Sequence, residues 1–125
     1  MEQDLKIIEV GKKDKNGNDI KNINLKTRVN KATGEVTQGL TVGNHIIVTK
    51  IFAEGYENKG ASYSSFSCKA RYKGEEVSFW LSQKEHDQYK EVGGIDDDIK
   101  VTLVSYEYTF NNVKKTATKL VFDLV

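Results

Sequence analysis

The stretch Ser62–Ser82, SYSSFSCKARYKGEEVSFWLS, decides the fold, because it holds two strands and the turn between them. Tyr72-Lys73-Gly74-Glu75 signals a tight turn, since glycine enters the positive-φ region without steric cost. A two-residue turn at Lys73-Gly74 sets Ala70 opposite Val77, Cys68 opposite Phe79 and Phe66 opposite Leu81. Apolar then meets apolar on one face of a period-2 ribbon. The other face receives Lys69 with Ser78, Arg71 with Glu76, and Ser67 with Trp80. An indole beside a lysine and an arginine is out of place on the polar face of a plain amphipathic hairpin.

Downstream, Ser82-Gln83-Lys84-Glu85 fits a capping box, in which the serine oxygen accepts from a helix-start amide and the glutamate reaches back. A helix of about three turns follows, with Tyr89 and Val92 on one face and Gly93-Gly94 as its stop. His86 lies in its first turns and is expected to be exposed. The last hairpin alternates Ile99, Val101 and Leu103 against Leu120, Phe122 and Leu124 across a type I′ turn at Asn111-Asn112. Lys100 meets Asp123 on its other face. Past Leu103 the inner face has nothing to bury, only Ser105, Glu107 and Thr109. The outer face there carries Tyr106, Tyr108 and Phe110, with Lys115 opposite Tyr108 and Lys119 opposite Val104. The pattern describes a β-arm that outruns its barrel and is aromatic and basic along one side.

Upstream, residues 1–42 read as a β-meander. Asn16-Gly17 is a hairpin signal that pairs Ile8 with Leu25 and Val10 with Ile23. A second turn over Asn30–Glu35 sets Val29 against Val36, Leu25 against Leu40 and Ile23 against Val42. After Gly43-Asn44, HIIVTKIF (45–52) is a strand rich in β-branched residues. AEGYENKGA (53–61) reads as a polar loop.

At 125 residues the chain is expected to be one domain, residues 1–42 extending a unit of 43–125. With 19 Lys and Arg against 18 Asp and Glu, net charge selects no partner, and a phosphate-binding surface requires a local patch. The single Cys68 excludes an intrachain disulfide and sits on the apolar face of its strand. No long apolar run, leader or lipidation signal is present, which leads to the expectation of a cytoplasmic protein with no membrane partner.

From Gly43 onward the order is strand, strand, strand, short helix, strand, strand. That order resembles an OB-fold, an all-β five-stranded Greek-key barrel with a helix between its third and fourth strands. Residues 1–42 would then be an N-terminal β-meander extension. Within that fold the chain resembles small single-stranded-DNA-binding proteins of phages, which use the second and third strands and the loops joining strands one–two and four–five. Carried over by position, the resemblance implies Tyr63, Lys69, Arg71 and Trp80 on the sheet as nucleic-acid-binding residues. It adds Tyr56 and Lys59 in the first loop, and Tyr106, Tyr108, Phe110, Lys114 and Lys115 on the arm. It also implies single-stranded DNA or RNA as ligand, a homo-oligomer, a role in replication or recombination with the proteins of those processes, and the host cytoplasm. Many such proteins end in a flexible acidic tail, whereas this chain ends in LVFDLV.

Other readings carry less. The arm aromatics also suit a subunit contact or the docking of a protein by a structural, adaptor-type β-barrel. Trp80 also suits a position covered by the N-terminal meander. His45, His86 and Cys68 do not have zinc-ligand spacing, and Asp96-Asp97-Asp98 reads as a solvated loop. There is no nucleophile elbow and no phosphate-cradling glycine loop, so no enzyme, cofactor or metal is expected.

Overall fold

The computed structural model describes residues 1–13, 17, 19–59 and 64–125, with side chains described for all of these except Val10, 52–59 and Ser64. Among the described residues nine strands and one helix follow in order: β1 (Ile8–Lys13), β2 (Asp19–Asn22), β3 (Arg28–Val29), β4 (Val36–Thr37), β5 (His45–Lys59), β6 (Ser64–Tyr72), β7 (Glu75–Ser82), α1 (Gln83–Glu91), β8 (Asp98–Phe110) and β9 (Val113–Leu124). The protein is mostly β. Seven strands form one sheet in the order β1-β2-β7-β6-β5-β8-β9, and β3 and β4 form a separate ribbon.

The β6–β7 hairpin has the expected register, with Ala70 on Val77, Cys68 on Phe79 and Phe66 on Leu81. Lys73 and Gly74 both take positive φ, 53° and 79°, as a two-residue I′ turn requires. The β8–β9 hairpin agrees at every expected pair, from Ile99↔Leu124 to Tyr108↔Lys115, and its turn residues Asn111 and Asn112 sit at φ 50° and 63°. The inward residues of these strands, with Ile46 and Val48 of β5, build a core to which Leu5, Ile23, Leu25 and Leu40 of the N-terminal segment contribute.

The sheet is open, and the expectation of a closed five-stranded barrel is corrected. β2 pairs in parallel with β7 at Asn22↔Ser78, and the Ile23 amide donates to the Ser78 carbonyl at 3.0 Å. That occupies the β7 edge on which closure depends. Among the described residues β9 lies beside β8 alone of the strands.

The N-terminal meander is corrected as well. β1 pairs with β2 as Ile8↔Asn22 and Glu9↔Lys21, not Ile8 with Leu25 and Val10 with Ile23. The register shifts before Lys13↔Asp19, and Gly11 sits between at φ 79°. Asn16 of the expected turn lies outside the described residues. The second turn has Val29↔Val36 as expected, and the Leu40 amide donates to the Leu25 carbonyl at 3.0 Å. Val42, however, is 48% exposed in a turn and does not face Ile23. Instead of extending a meander, residues 23–25 and 39–40 are laid against the core, with Ile23, Leu25 and Leu40 buried. Gly39 permits this close approach, since a Cβ there would lie 2.7 Å from Lys26 Cα.

The segment read as a polar loop is strand through Lys59, paired with β6 as far as Lys59↔Ser64 across two register shifts. Polar composition misled because ladder hydrogen bonds satisfy the backbone whatever the side chains are.

Candidate nucleic-acid interface

Ser82 caps α1 as its sequence requires, its Oγ accepting from the Glu85 amide while Glu85 Oε1 accepts from the Ser82 amide at 2.9 Å. The helix buries Glu85, His86 and Tyr89, with Val92 half-buried in line. The expectation that His86 is exposed is therefore corrected: it is 3% exposed and stacks flat on Phe66, ring centroids 4.1 Å apart. The buried stripe (i, i+1, i+4) has regular helical spacing but two polar members, so hydrophobicity does not reveal it.

Beneath the sheet Lys50 is fully buried. Its Nζ donates to the carbonyls of Tyr89 at 2.5 Å and Val92 at 2.7 Å, holding the C-terminal end of α1 where a cation is favoured. Burial lowers its pKa, and Asp97 partly opposes this. Burial also pushes the Cys68 thiol up to about 12 and raises the Tyr89 phenol. These groups support the sheet from behind and do not reach its outer face.

On that outer face Trp80 is 41% exposed. One side of it is β6, with Ser67 directly opposite and Lys69 diagonal. The other side is the N-terminal segment, and the parallel bridge of β2 to β7 delivers Ile23–Arg28 alongside the indole. That segment and the indole form an open cleft of about 280 Å³ lined by Ile23, Asn24, Leu25, Lys26, Thr27, Arg28 and Trp80. The N-terminal segment thus walls the indole on one side and leaves its surface partly open. Lys26 Nζ pairs with Glu85 Oε2 at 2.9 Å, tying the wall to the helix start. Arg28 is exposed and makes no ion pair among the described residues. Lys69 is 3.5 Å from Glu76, and Arg71, opposite Glu76, is exposed.

The arm lies elsewhere. Trp80 pairs with Ser67 and Ser67 with Tyr56, near the end of β5, whereas Thr102 of β8 pairs with His45 at its start. The levels of His45 and Tyr56 are separated by roughly 35 Å of strand contour, and Tyr106, Tyr108 and Phe110 continue past His45. These three are 42–56% exposed, and Lys114 and Lys115 are exposed beside them. Lys115 Nζ sits 5.2 Å from the Phe110 ring centroid and Lys119 Nζ 5.4 Å from that of Tyr106. The register therefore puts Trp80, Lys69 and Arg71 on one face of β6–β7, and it puts the five arm residues beyond the start of β5, the end of that strand away from the Trp80 level. Tyr63 lies outside the described residues, as do the side chains of Tyr56 and Lys59, whose backbone belongs to β5 and not to a loop.

Asn24, Lys26, Thr27 and Arg28 were not among the residues the sequence singled out. The alternation INLKTRV places Asn24, Lys26 and Arg28 on one polar face. Only the long-range β2–β7 bridge brings that face beside Trp80. No helix of the described residues is long and apolar enough to cross a membrane. Comparison of the sequence with protein-family models and with curated proteins, and of the structure with solved structures, finds no match.

Proposed function

We propose that the chain binds single-stranded nucleic acid without strong sequence preference, at the Trp80 cleft. The observation that carries this is an indole held open on a core-backed sheet, with Arg28 on one side and Lys69 and Arg71 on the other. A base stacked on an exposed aromatic contributes about 1–3 kcal/mol whichever base it is, and flanking cations follow the phosphates. The connectivity of β5–β9 and α1 supports the OB-like resemblance in strand order, without barrel closure. A role in replication or recombination is part of the same reading. With a net charge of +1, few phosphates are contacted per copy.

The test is the salt dependence of oligothymidine binding. Each phosphate neutralised on a single strand contributes roughly −0.7 to the log–log slope. Replacing Arg28 and Arg71 together by Ala flattens the slope by roughly 1.4, and replacing Lys114 and Lys115 leaves it unchanged. The reverse pattern moves the phosphate track to the arm. A second reading, a structural adaptor that docks a protein through the arm, is favoured by one observation. The arm's Lys115 and Lys119 are folded over its own aromatic rings.

A further inference from the structure

β9 is a 12-residue edge strand with one strand neighbour, β8, and with α1 against it. Long unprotected edges invite pairing with another chain. The Val125 amide donates to the Asp98 carbonyl of β8. Since amide direction alternates along a strand, the odd-numbered residues of β9 face β8. Thr118, Leu120, Phe122 and Leu124 therefore present their backbone groups to the open side.

We infer that this edge pairs with the β9 of a second copy, antiparallel about a two-fold axis at Val121. The stretch Lys119-Leu120-Val121-Phe122-Asp123 is self-complementary in that register. Lys119 faces Asp123 of the partner, and Asp123 faces the partner's Lys119. Leu120 meets Phe122 on the inner face, and Val121 meets itself on the outer. The open backbone groups fall on the pairs 120–122 and 118–124, which then exchange hydrogen bonds. The charged pairs fall on the closely spaced, non-hydrogen-bonded positions. Neither Lys119 nor Asp123 has an ion-pair partner among the described residues. Competing registers fail. Centring on Lys119 opposes two ammonium groups, and centring on Asp123 opposes two carboxylates. Centring on Leu120 or Phe122 leaves both charges opposite alanine or valine, and a one-residue slip sets inner faces against outer ones. The product is a continuous sheet through both copies, a symmetric closed dimer whose arms point away from each other.

The inference is independent of the nucleic-acid reading, and its test uses the full chain without nucleic acid. Sedimentation of the unaltered protein over a rising concentration series shows a monomer–dimer equilibrium. Asp123→Lys weakens it by at least about tenfold through like-charge opposition, and Lys119→Asp combined with Asp123→Lys restores it. With oxidised glutathione added as electron acceptor, Val121→Cys forms a disulfide-linked dimer, because a close pair about 4.5 Å apart at Cα suits the bridge. Lys115→Cys, off the axis, does not, and buried Cys68 does not compete. A monomer at every concentration overturns the inference. So does a dimer indifferent to the charge reversal, or one cross-linked as fast through position 115 as through 121. Association that requires added oligonucleotide also overturns it, while leaving the Trp80 reading standing.

Discussion

Trp80 and the Tyr106–Phe110 row are both aromatic, both outward-facing and both flanked by cations, yet they occupy different physical situations. Behind Trp80 the sheet carries Phe79, 1% exposed and edge-on to Tyr89 at 5.6 Å, and Leu81, 1% exposed. Behind Tyr106, Tyr108 and Phe110 the inner face carries Ser105, Glu107 and Thr109, all exposed. The indole has a wall of N-terminal chain on one side and a neighbouring strand on the other. The arm rings have each other, two lysines and their cross-strand partners on β9 beside them. A surface aromatic serves as a fixed platform when the core holds its strand, and as part of a free ribbon when nothing does.

The largest effect that separates the two regions is on stability. Phe79→Ala, behind Trp80, costs about 3–5 kcal/mol, a buried aromatic replaced by a cavity. Thr109→Ala, behind the arm rings, stays within about 0.5 kcal/mol. Urea denaturation measures both, and a comparable loss at Thr109 would mean that the arm is packed against something.

A smaller effect depends on pH. The Cys68 thiol is held up to about 12 in the fold against 9.0 for the free group, by burial. The unfolded chain therefore loses this proton first, and stability falls as pH rises above 9. Its slope approaches about 1.4 kcal/mol per pH unit before the folded thiol itself ionises. Tyr89 adds to that fall, while Lys50, whose folded pKa is lowered, opposes it. Cys68→Ala isolates the thiol: between pH 9 and 11 its stability profile is flatter than that of the parent. Identical profiles would mean that the thiol is solvated and the core behind Trp80 is open.

The smallest free energies concern opening. Amides from Ser105 to Thr118 exchange at free energies near zero to a few kcal/mol, while Val101 and Phe122 approach the global value. Equal protection along the hairpin would show that the arm is docked.

The sequence makes the two C-terminal hairpins legible, because their turns (Lys73-Gly74, Asn111-Asn112) and their alternation specify one register between them. Trp80, Lys69 and Arg71 follow from that parity, as does the arm. The β1–β2 register is not legible, since Gly11 lies in a shift that no local pattern announces. Nor is the open sheet, which depends on Asn22 meeting Ser78 across 56 positions of chain. The cleft inherits that difficulty: Lys26 and Arg28 reach Trp80 only through a non-local bridge. Lys50 and His86 are hidden for another reason. Each is a polar residue in an apolar position: helix-end carbonyls accept from Lys50, whereas His86 is stacked on Phe66 with neither ring nitrogen hydrogen-bonded among the described residues.

The claim that Trp80 is the stacking platform is tested most directly by oligothymidine titration of the parent, Trp80→Ala, Trp80→Phe and Tyr108→Ala, followed by anisotropy of a labelled strand. The parent's indole fluorescence is quenched on binding. Trp80→Ala weakens binding by about 1–3 kcal/mol, Trp80→Phe recovers much of that by keeping a π-face, and Tyr108→Ala binds like the parent. A folded Trp80→Ala protein that binds with the parent's affinity, alongside a Tyr108→Ala protein that does not, would contradict the account and move the ligand to the arm.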